Sequence, residues 1–354
     1  MALKDINGNV ITNLTSGEIR TALVNAVADG AINIGSTIGA TLSTSFGDSY
    51  AQTAYSNMLE EYKKAPNSTI PFFISTDQHG RGLQQHRWVN NIDTDGVNMA
   101  NINLGDTVMD SFSPVDMKNF YGEIWQVKNY IGVPGNHEFK SSTYTISDFD
   151  ISRAFCTTNY LRTLNPSTTN CYTVIDGLHN VKYVIIDEYA TNENKTSYTA
   201  GLTAKTAEWL IHELSADDGF DIVILKHWGL AASVETQYRD RNGTVLSLLL
   251  GDLAPELSAM LAARKNKISG TFTDVAGGSH SFDFTNCKTN LLCCLHGHTH
   301  NELYGYLNGL LCYCADWYGN NHSCVFGLID RVNNKLKIFK FDSTQVYDML
   351  EIDM

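Results

Sequence analysis

The chain has 354 residues, 43% of them hydrophobic, and carries 38 acidic against 25 basic side chains for a formal net charge of −13. That apolar content can fill one large domain or two smaller ones. A charge this acidic excludes bulk gripping of nucleic-acid backbones, although bound metal ions could still make a local positive site for a nucleotide or nucleic-acid substrate. No run approaches the roughly 18 unbroken apolar residues of a membrane helix. The opening Met1–Gly8 is too polar for a signal peptide, so the expected location is cytoplasmic or virion-associated, with no membrane partner.

Residues 1–45 are rich in Thr, Ser, Ala, Asn and Gly and too weakly patterned for a core of their own. They read as an N-terminal extension, flexible or used for attachment, ahead of a main domain over 46–354. Gly47-Asp48-Ser49 looks like a serine-esterase signature, but no apolar strand precedes it and no Asp-x-x-His partner follows late in the chain. It reads instead as the cap of a helix running from about Ser49 to Lys64, with Ala51, Ala54, Tyr55, Met58, Leu59 and Tyr62 on one face.

From Ile70 onward, apolar strands recur and each ends in polar residues. They are Pro71–Ser75, Met99–Leu104, Tyr130–Val133, Lys182–Ile186, Asp221–Leu225 and Leu291–Leu295. Helical stretches such as Met117–Val127 and Thr203–Leu214 lie between them, which predicts an α/β fold with its sites at strand ends. Gly270–Val275 and Ser279–Phe284 read as a hairpin. Leu303–Leu307, Leu310–Cys314, Cys324–Asp330 and Lys335–Phe341 read as a closing antiparallel meander, with turns at Asn308-Gly309 and Asn333-Asn334. The eight cysteines include five in apolar runs and read as reduced core residues. The Cys312-x-Cys314 pair has strand alternation rather than zinc-knuckle spacing.

Five polar clusters punctuate the strand ends: Asp77-Gln78-His79, Gly105-Asp106, Gly135-Asn136-His137-Glu138, the lone His227, and Gly297-His298-Thr299-His300. Each alone is weak, since a D-x-H can be a surface loop and a G-N-H a tight turn. Together they offer carboxylate, amide and imidazole ligands suited to borderline or hard divalent ions such as Mn, Zn, Fe, Ni or Co. Strand alternation would turn Asp77 and His79 to one side, and a single carboxylate, Asp106, is placed to bridge two ions.

In this order the five clusters resemble the calcineurin-like metallophosphoesterases, whose pattern is D-x-H, G-D, G-N-H-[DE], H and G-H-x-H. The resemblance spans about Ile70 to Asn301. It implies a four-layer sandwich of two mixed β-sheets flanked by helices, and two divalent metal ions as cofactors. It implies Asp77, His79 and His300 on one metal, Asn136, His227 and His298 on the other, and Asp106 between them. His137 would act on the phosphate without ligating. The activity implied is hydrolysis of phosphate mono- or diesters, as a phosphatase or phosphodiesterase, with a hydroxide held between the metals as nucleophile. Many members read G-D-x-x-D after the second strand, whereas here the second carboxylate, Asp110, stands one residue late.

Other residues have plainer readings. His296 reads as a neighbour of the site, His86 and Arg87 as solvated loop residues with substrate contact the alternative, and Asp187-Glu188 as a possible supporting pair. Trp228 could line the pocket or pack the core. The loops Gly80–Asn98, Thr191–Thr203 and Gly229–Asn242 are where specificity would be set. The alternative to an enzyme is a structural or virion-associated protein, such as a phage tail or baseplate component, carrying this domain. The Met-Ala-Leu-Lys-Asp opening motivates it, and the complete ligand set weighs against it.

Overall fold

The computed structural model describes residues 48–80, 85–86, 89, 97–107, 127–137, 161–164, 171–187, 201–230, 238–246, 255–319 and 322–354. The extension 1–45, Arg87, Asp110, Glu138, Glu188, Cys156 and all but the last residue of the expected helix Met117–Val127 lie outside the described residues. The chain starts with α1 (Asp48–Tyr62), β1 (Thr69–Ser75), β2 (Ala100–Asn103), β3 (Tyr130–Gly132), β4 (Leu161–Leu164), β5 (Tyr172–Asp176) and β6 (Val181–Ile185). It continues with α2 (Ala204–Ser215), β7 (Asp221–Leu225), β8 (Tyr238–Arg239), β9 (Val245–Leu246), α3 (Pro255–Asn266), β10 (Ser269–Thr273) and β11 (Ser279–Asp283). It ends with β12 (Leu291–His296), β13 (Leu303–Leu307), β14 (Leu310–Cys314), β15 (Cys324–Asp330), β16 (Lys335–Phe341) and β17 (Leu350–Asp353).

Two mixed sheets carry the fold. The six-stranded sheet has the order β17-β16-β15-β1-β2-β3, and the nine-stranded sheet the order β4-β5-β6-β7-β12-β14-β13-β8-β9. Parallel pairing joins β1 to β2 to β3 in the first sheet and β6 to β7 to β12 to β14 in the second. Three separate apolar cores show how the layers stack. Ile70, Phe72 and Ile74 of β1 meet Val223, Leu225, Cys293 and Leu295 of the other sheet in the core between the sheets. Phe73 points the opposite way and packs with Ala51, Ala54, Tyr55 and Met58 of α1. Leu210 of α2 and Met260 and Leu261 of α3 cover Ile222, Ile224 and Cys294 on the far face of the nine-stranded sheet. The result is helix, sheet, sheet, helix. The alternation of side chains along each strand produces it, because a strand buried on both faces feeds two cores at once.

The helices follow their sequence signals. The expected face of α1 is the buried one, with Ala51, Ala54, Tyr55 and Met58 inward. Asp48 and Ser49 fall inside its first turn rather than before it. Thr203 caps α2 by accepting a 3.3 Å hydrogen bond from the backbone N–H of Thr206. The closing meander is not continuous. The β13–β14 hairpin belongs to the nine-stranded sheet, and β15, β16 and β17 belong to the six-stranded one. The reason is β1, whose apolar edge pairs antiparallel with β15 over Thr69–Ile74 and draws the chain across. The expected hairpin at 270–284 forms a two-stranded sheet by itself. The described cysteines are all buried, Cys312 and Cys314 among them. No helix among the described residues is long and apolar enough to cross a membrane.

Because β1 feeds two cores, Phe72→Ala and Phe73→Ala should each lower unfolding free energy by about 3–5 kcal/mol in denaturant titration. A cost below about 1 kcal/mol for either would mean that its face of the sheet is not packed as described.

Candidate metal centre

The C-terminal ends of parallel strands from both sheets meet at one end of the sandwich. Backbone bonds tie the loops there together. After β1, Asp77 N–H donates to Gly105 O at 3.0 Å and His79 N–H to Asp106 O at 2.9 Å. Gly297 N–H donates to His227 O at 3.0 Å. Across the sheets, His298 N–H donates to Asp77 Oδ2 at 3.0 Å. Two glycines permit the approach. Gly105 has a φ of +98°, and a Cβ on it would lie 2.6 Å from His227 Nδ1. A Cβ on Gly135 would collide with the backbone nitrogen of Asp106.

Strand alternation is not what aims the ligand candidates. Asp77, His79, Asp106, His298 and His300 lie beyond the strand ends with positive φ of 53°, 47°, 51°, 74° and 57°. Elsewhere among the described residues positive φ falls mostly on glycine and asparagine, which tolerate it. For Asp and His it costs on the order of 1 kcal/mol each and persists only where the surroundings over-determine it, as at functional sites.

These turns bring the side chains together in three groups whose ligand atoms lie within 4.8 Å of one another: Asp77, His79 and His300; His79, Asp106 and His137; Asp106, His227 and His298. Asp77 Oδ1 lies 3.2 Å from His300 Nε2, and Asp106 Oδ2 lies 3.2 Å from His227 Nε2. Asn136 Oδ1 is 3.2 Å from the same His227 nitrogen, and His298 Nδ1 is 3.3 Å from it. His227 Nδ1–H donates to Leu104 O at 2.7 Å, which leaves Nε2 as the atom aimed inward. His137 donates its backbone N–H to Asp106 Oδ1 at 2.8 Å, and its ring centre lies 4.5 Å from that of His79.

The donor set fits divalent cations. Asp77 Oδ1 and His79 Nδ1 are buried and take no hydrogen bond, although both belong to one group. Buried polar atoms are normally satisfied, and a cation would satisfy both. Burial pushes the carboxyls of Asp77 and Asp106 up, but His300 beside the first and His227 beside the second hold both below their ordinary value. Burial likewise opposes charge on His227, yet the Asp106 carboxylate pushes it up to about 10. Burial, and then the charge on His227, push His298 down to about 4, and burial lowers His79. The cluster thus compensates two buried carboxylates with imidazole, and an ion bound there would displace protons.

Several neighbours were misread or missed in the sequence. His86 is not solvated. It is fully buried, and its Nδ1–H donates to Asn101 Oδ1 while Nε2 accepts from the Ser75 hydroxyl at 2.6 Å. Gln78 donates to that hydroxyl at 3.0 Å, and Asn103 Nδ2 donates to Gln78 Oε1 at 3.1 Å. Asn103 Oδ1 in turn accepts from Gly105 N–H at 2.9 Å, so a buried polar chain supports the Asp77 and Asp106 loops from below. Its one sequence signal is the polar alternation Asn101-Ile102-Asn103 inside a buried strand. Trp228 packs against His298 with ring centres 3.6 Å apart and the planes tilted by 33°. Trp317, which carried no motif, stacks on His300 at 4.7 Å. His296 is buried and bonded through Nδ1 to Gly297 O, outside the three groups. Asp187 is buried at the end of β6, with its backbone N–H on Cys171 Sγ.

No family model matches the chain, and no curated protein matches it. Solved structures do. A dimetal phosphatase from Danio rerio is similar at 12% identity and a TM-score of 0.47, over 79% of this chain and 98% of that one. A putative 5'-nucleotidase from Staphylococcus aureus is similar at 15% identity and a TM-score of 0.45, over 81% of this chain and 54% of that one. GAP50, the anchor in the inner membrane complex of Plasmodium, is similar at 10% identity and a TM-score of 0.45, over 81% and 89%. These likenesses are faint and belong to proteins with differing roles, so function is read from the side chains.

The buried His86 makes stability sensitive to acid. Burial pushes it down to about 4, from 6.5 when unfolded. Its contribution is complete above pH 6.5. It is lost as pH falls from 6.5 to 4, because only the unfolded chain takes up the proton there. The loss is about 3 kcal/mol in all, at about 1.4 kcal/mol per pH unit. In EDTA, unfolding free energies of wild type and His86→Gln should converge over that interval by about this amount. Parallel curves would mean that His86 is not held neutral.

Proposed function

We propose that the protein is a hydrolase of phosphate mono- or diesters that depends on a dinuclear metal centre. The gathering of Asp77, Asp106 and the ring nitrogens of five histidines into three adjoining groups, two of which share Asp106, supports this reading most strongly. Asp77, His79 and His300 would hold one ion and Asn136, His227 and His298 the other, with Asp106 shared between them. Two divalent ions bound there would activate a water and polarise a phosphoryl oxygen.

The chain's own residues do the rest. The Leu104 carbonyl fixes the His227 tautomer, so that Nε2 faces the centre. The backbone N–H of His137 orients Asp106. The His137 side chain is about one-fifth exposed at the rim, where it can hydrogen-bond a phosphoryl oxygen or protonate the departing one. It also belongs to a ligand-spaced group with His79 and Asp106. The native metals are drawn from Mn, Zn, Fe, Ni and Co, whose chemistry matches the donors.

Purified protein should carry two metals per chain by elemental analysis and lose turnover of aryl phosphates on chelation. Asp106→Asn should lose both ions, because the shared charge is gone. His137→Ala should keep both and turn over roughly a hundredfold to ten-thousandfold more slowly. Nitrophenyl esters, with good leaving groups, should suffer less than nucleoside or alkyl esters. Full activity in Asp106→Asn would overturn the centre, and metal loss in His137→Ala would make that residue a ligand.

A further inference from the structure

His300 ends its motif in a left-handed turn, with its side chain 40% exposed at the rim of the site. Something must hold it there, and the sequence just beyond it does. Glu302 is buried just before β13, where Arg241 grips it with two hydrogen bonds of 2.8 and 2.7 Å. The Tyr313 hydroxyl donates to Glu302 Oε1 at 2.9 Å. Opposite, Trp317 lies flat on the His300 ring, with 20° between the planes. The backbone N–H of Trp317 donates to the side chain of its neighbour Asp316 at 2.8 Å.

One cation joins these two supports. Lys340 of β16 is 7% exposed. Its Nζ donates to Asp316 Oδ2 at 2.6 Å and lies 3.6 Å from Glu302 Oε2. The Tyr347 ring covers it at 4.7 Å. Burial works against the ammonium, but the two carboxylates outweigh it and keep it charged. β16 belongs to the six-stranded sheet, whereas Glu302 and Asp316 flank β13 and β14 of the nine-stranded sheet. Lys340 therefore pins, from the opposite sheet, both the chain leaving His300 and the tryptophan stacked on it. The other histidines have different supports: Leu104 O for His227, and Asp77 Oδ2 and Trp228 for His298.

We infer that Lys340 is a positioning residue for the Asp77–His79–His300 half of the centre, setting the affinity of that half for its ion without touching it. This rests on the metal-centre reading above. Supports of this kind change metal affinity by roughly 10–100-fold when removed. Calorimetric titration of metal-stripped full-length protein with Mn²⁺ should resolve two binding steps. Lys340→Met should weaken one of them 10–100-fold and leave the other within about twofold. Asp316→Asn, which cuts one arm only and spares the buried lysine, should weaken the same step less, and Lys340→Arg should restore most of it. Lys335→Met, at the partly exposed start of the same strand, should change neither. Wild-type protein with two steps but no selective loss in Lys340→Met and Asp316→Asn overturns the inference alone. Equal weakening of both steps overturns it too, since it marks general loosening. Wild-type protein that takes up no Mn²⁺ overturns the metal-centre reading and this inference together.

Discussion

Two carboxylates, Asp77 and Asp106, are buried where the two sheets meet, and the end of the sandwich is organised around that fact. Isolated buried carboxylates are expensive, and neutralisation or pairing is the usual escape. Here both carboxyls are instead held below their ordinary value. Imidazoles from both sheets face them, and backbone N–H groups of His137 and His298 donate to their oxygens. These partners come from several strand ends, those of β3, β7 and β12 among them. The charge problem is solved only when the sheets are in register, so the site and the packing between the sheets stand or fall together.

The same constraint explains the backbone. A strand end that simply ran on would send Asp77 and His79 apart along the pleat. The left-handed turns at Asp77, Asp106, His298 and His300 fold the ligand atoms back toward one another. Gly105 and Gly135 let the loops approach backbone to backbone, closer than any side chain would permit. The conformational strain is set against the buried polar chain from His86 to Asn103 below and the Lys340 clamp at the side. Loops with fewer anchors would relax it.

Much of this was legible in the sequence. The apolar runs ending in Asp77, Asp106, Asn136, His227 and His298 located the strands of both sheets, and the helical face of Ala51, Ala54, Tyr55 and Met58 was visible from its spacing. What escaped was non-local. Whether β15 follows β14 in one sheet or crosses to pair with β1 depends on contacts between residues some 250 positions apart, such as Phe73 with Phe326. His86 looked like a loop residue because its partners, Ser75 and Asn101, lie on two different strands. Trp317 bore no motif, and its stacking on His300 exists only after β14 and β12 pair. Turn geometry at Asp77 and His79 escaped for a local reason: a D-x-H segment fits both a pleat and a left-handed turn, and burial of neighbouring chain decides between them.

The central claim is that the three side-chain groups form one centre holding two ions. Crystals grown with Mn²⁺, measured at the manganese absorption edge, test it most directly. Two anomalous peaks roughly 3.5–4 Å apart are expected, one against Asp77, His79 and His300 and one against Asn136, His227 and His298, with Asp106 touching both. A single peak, or none at these residues, would contradict it.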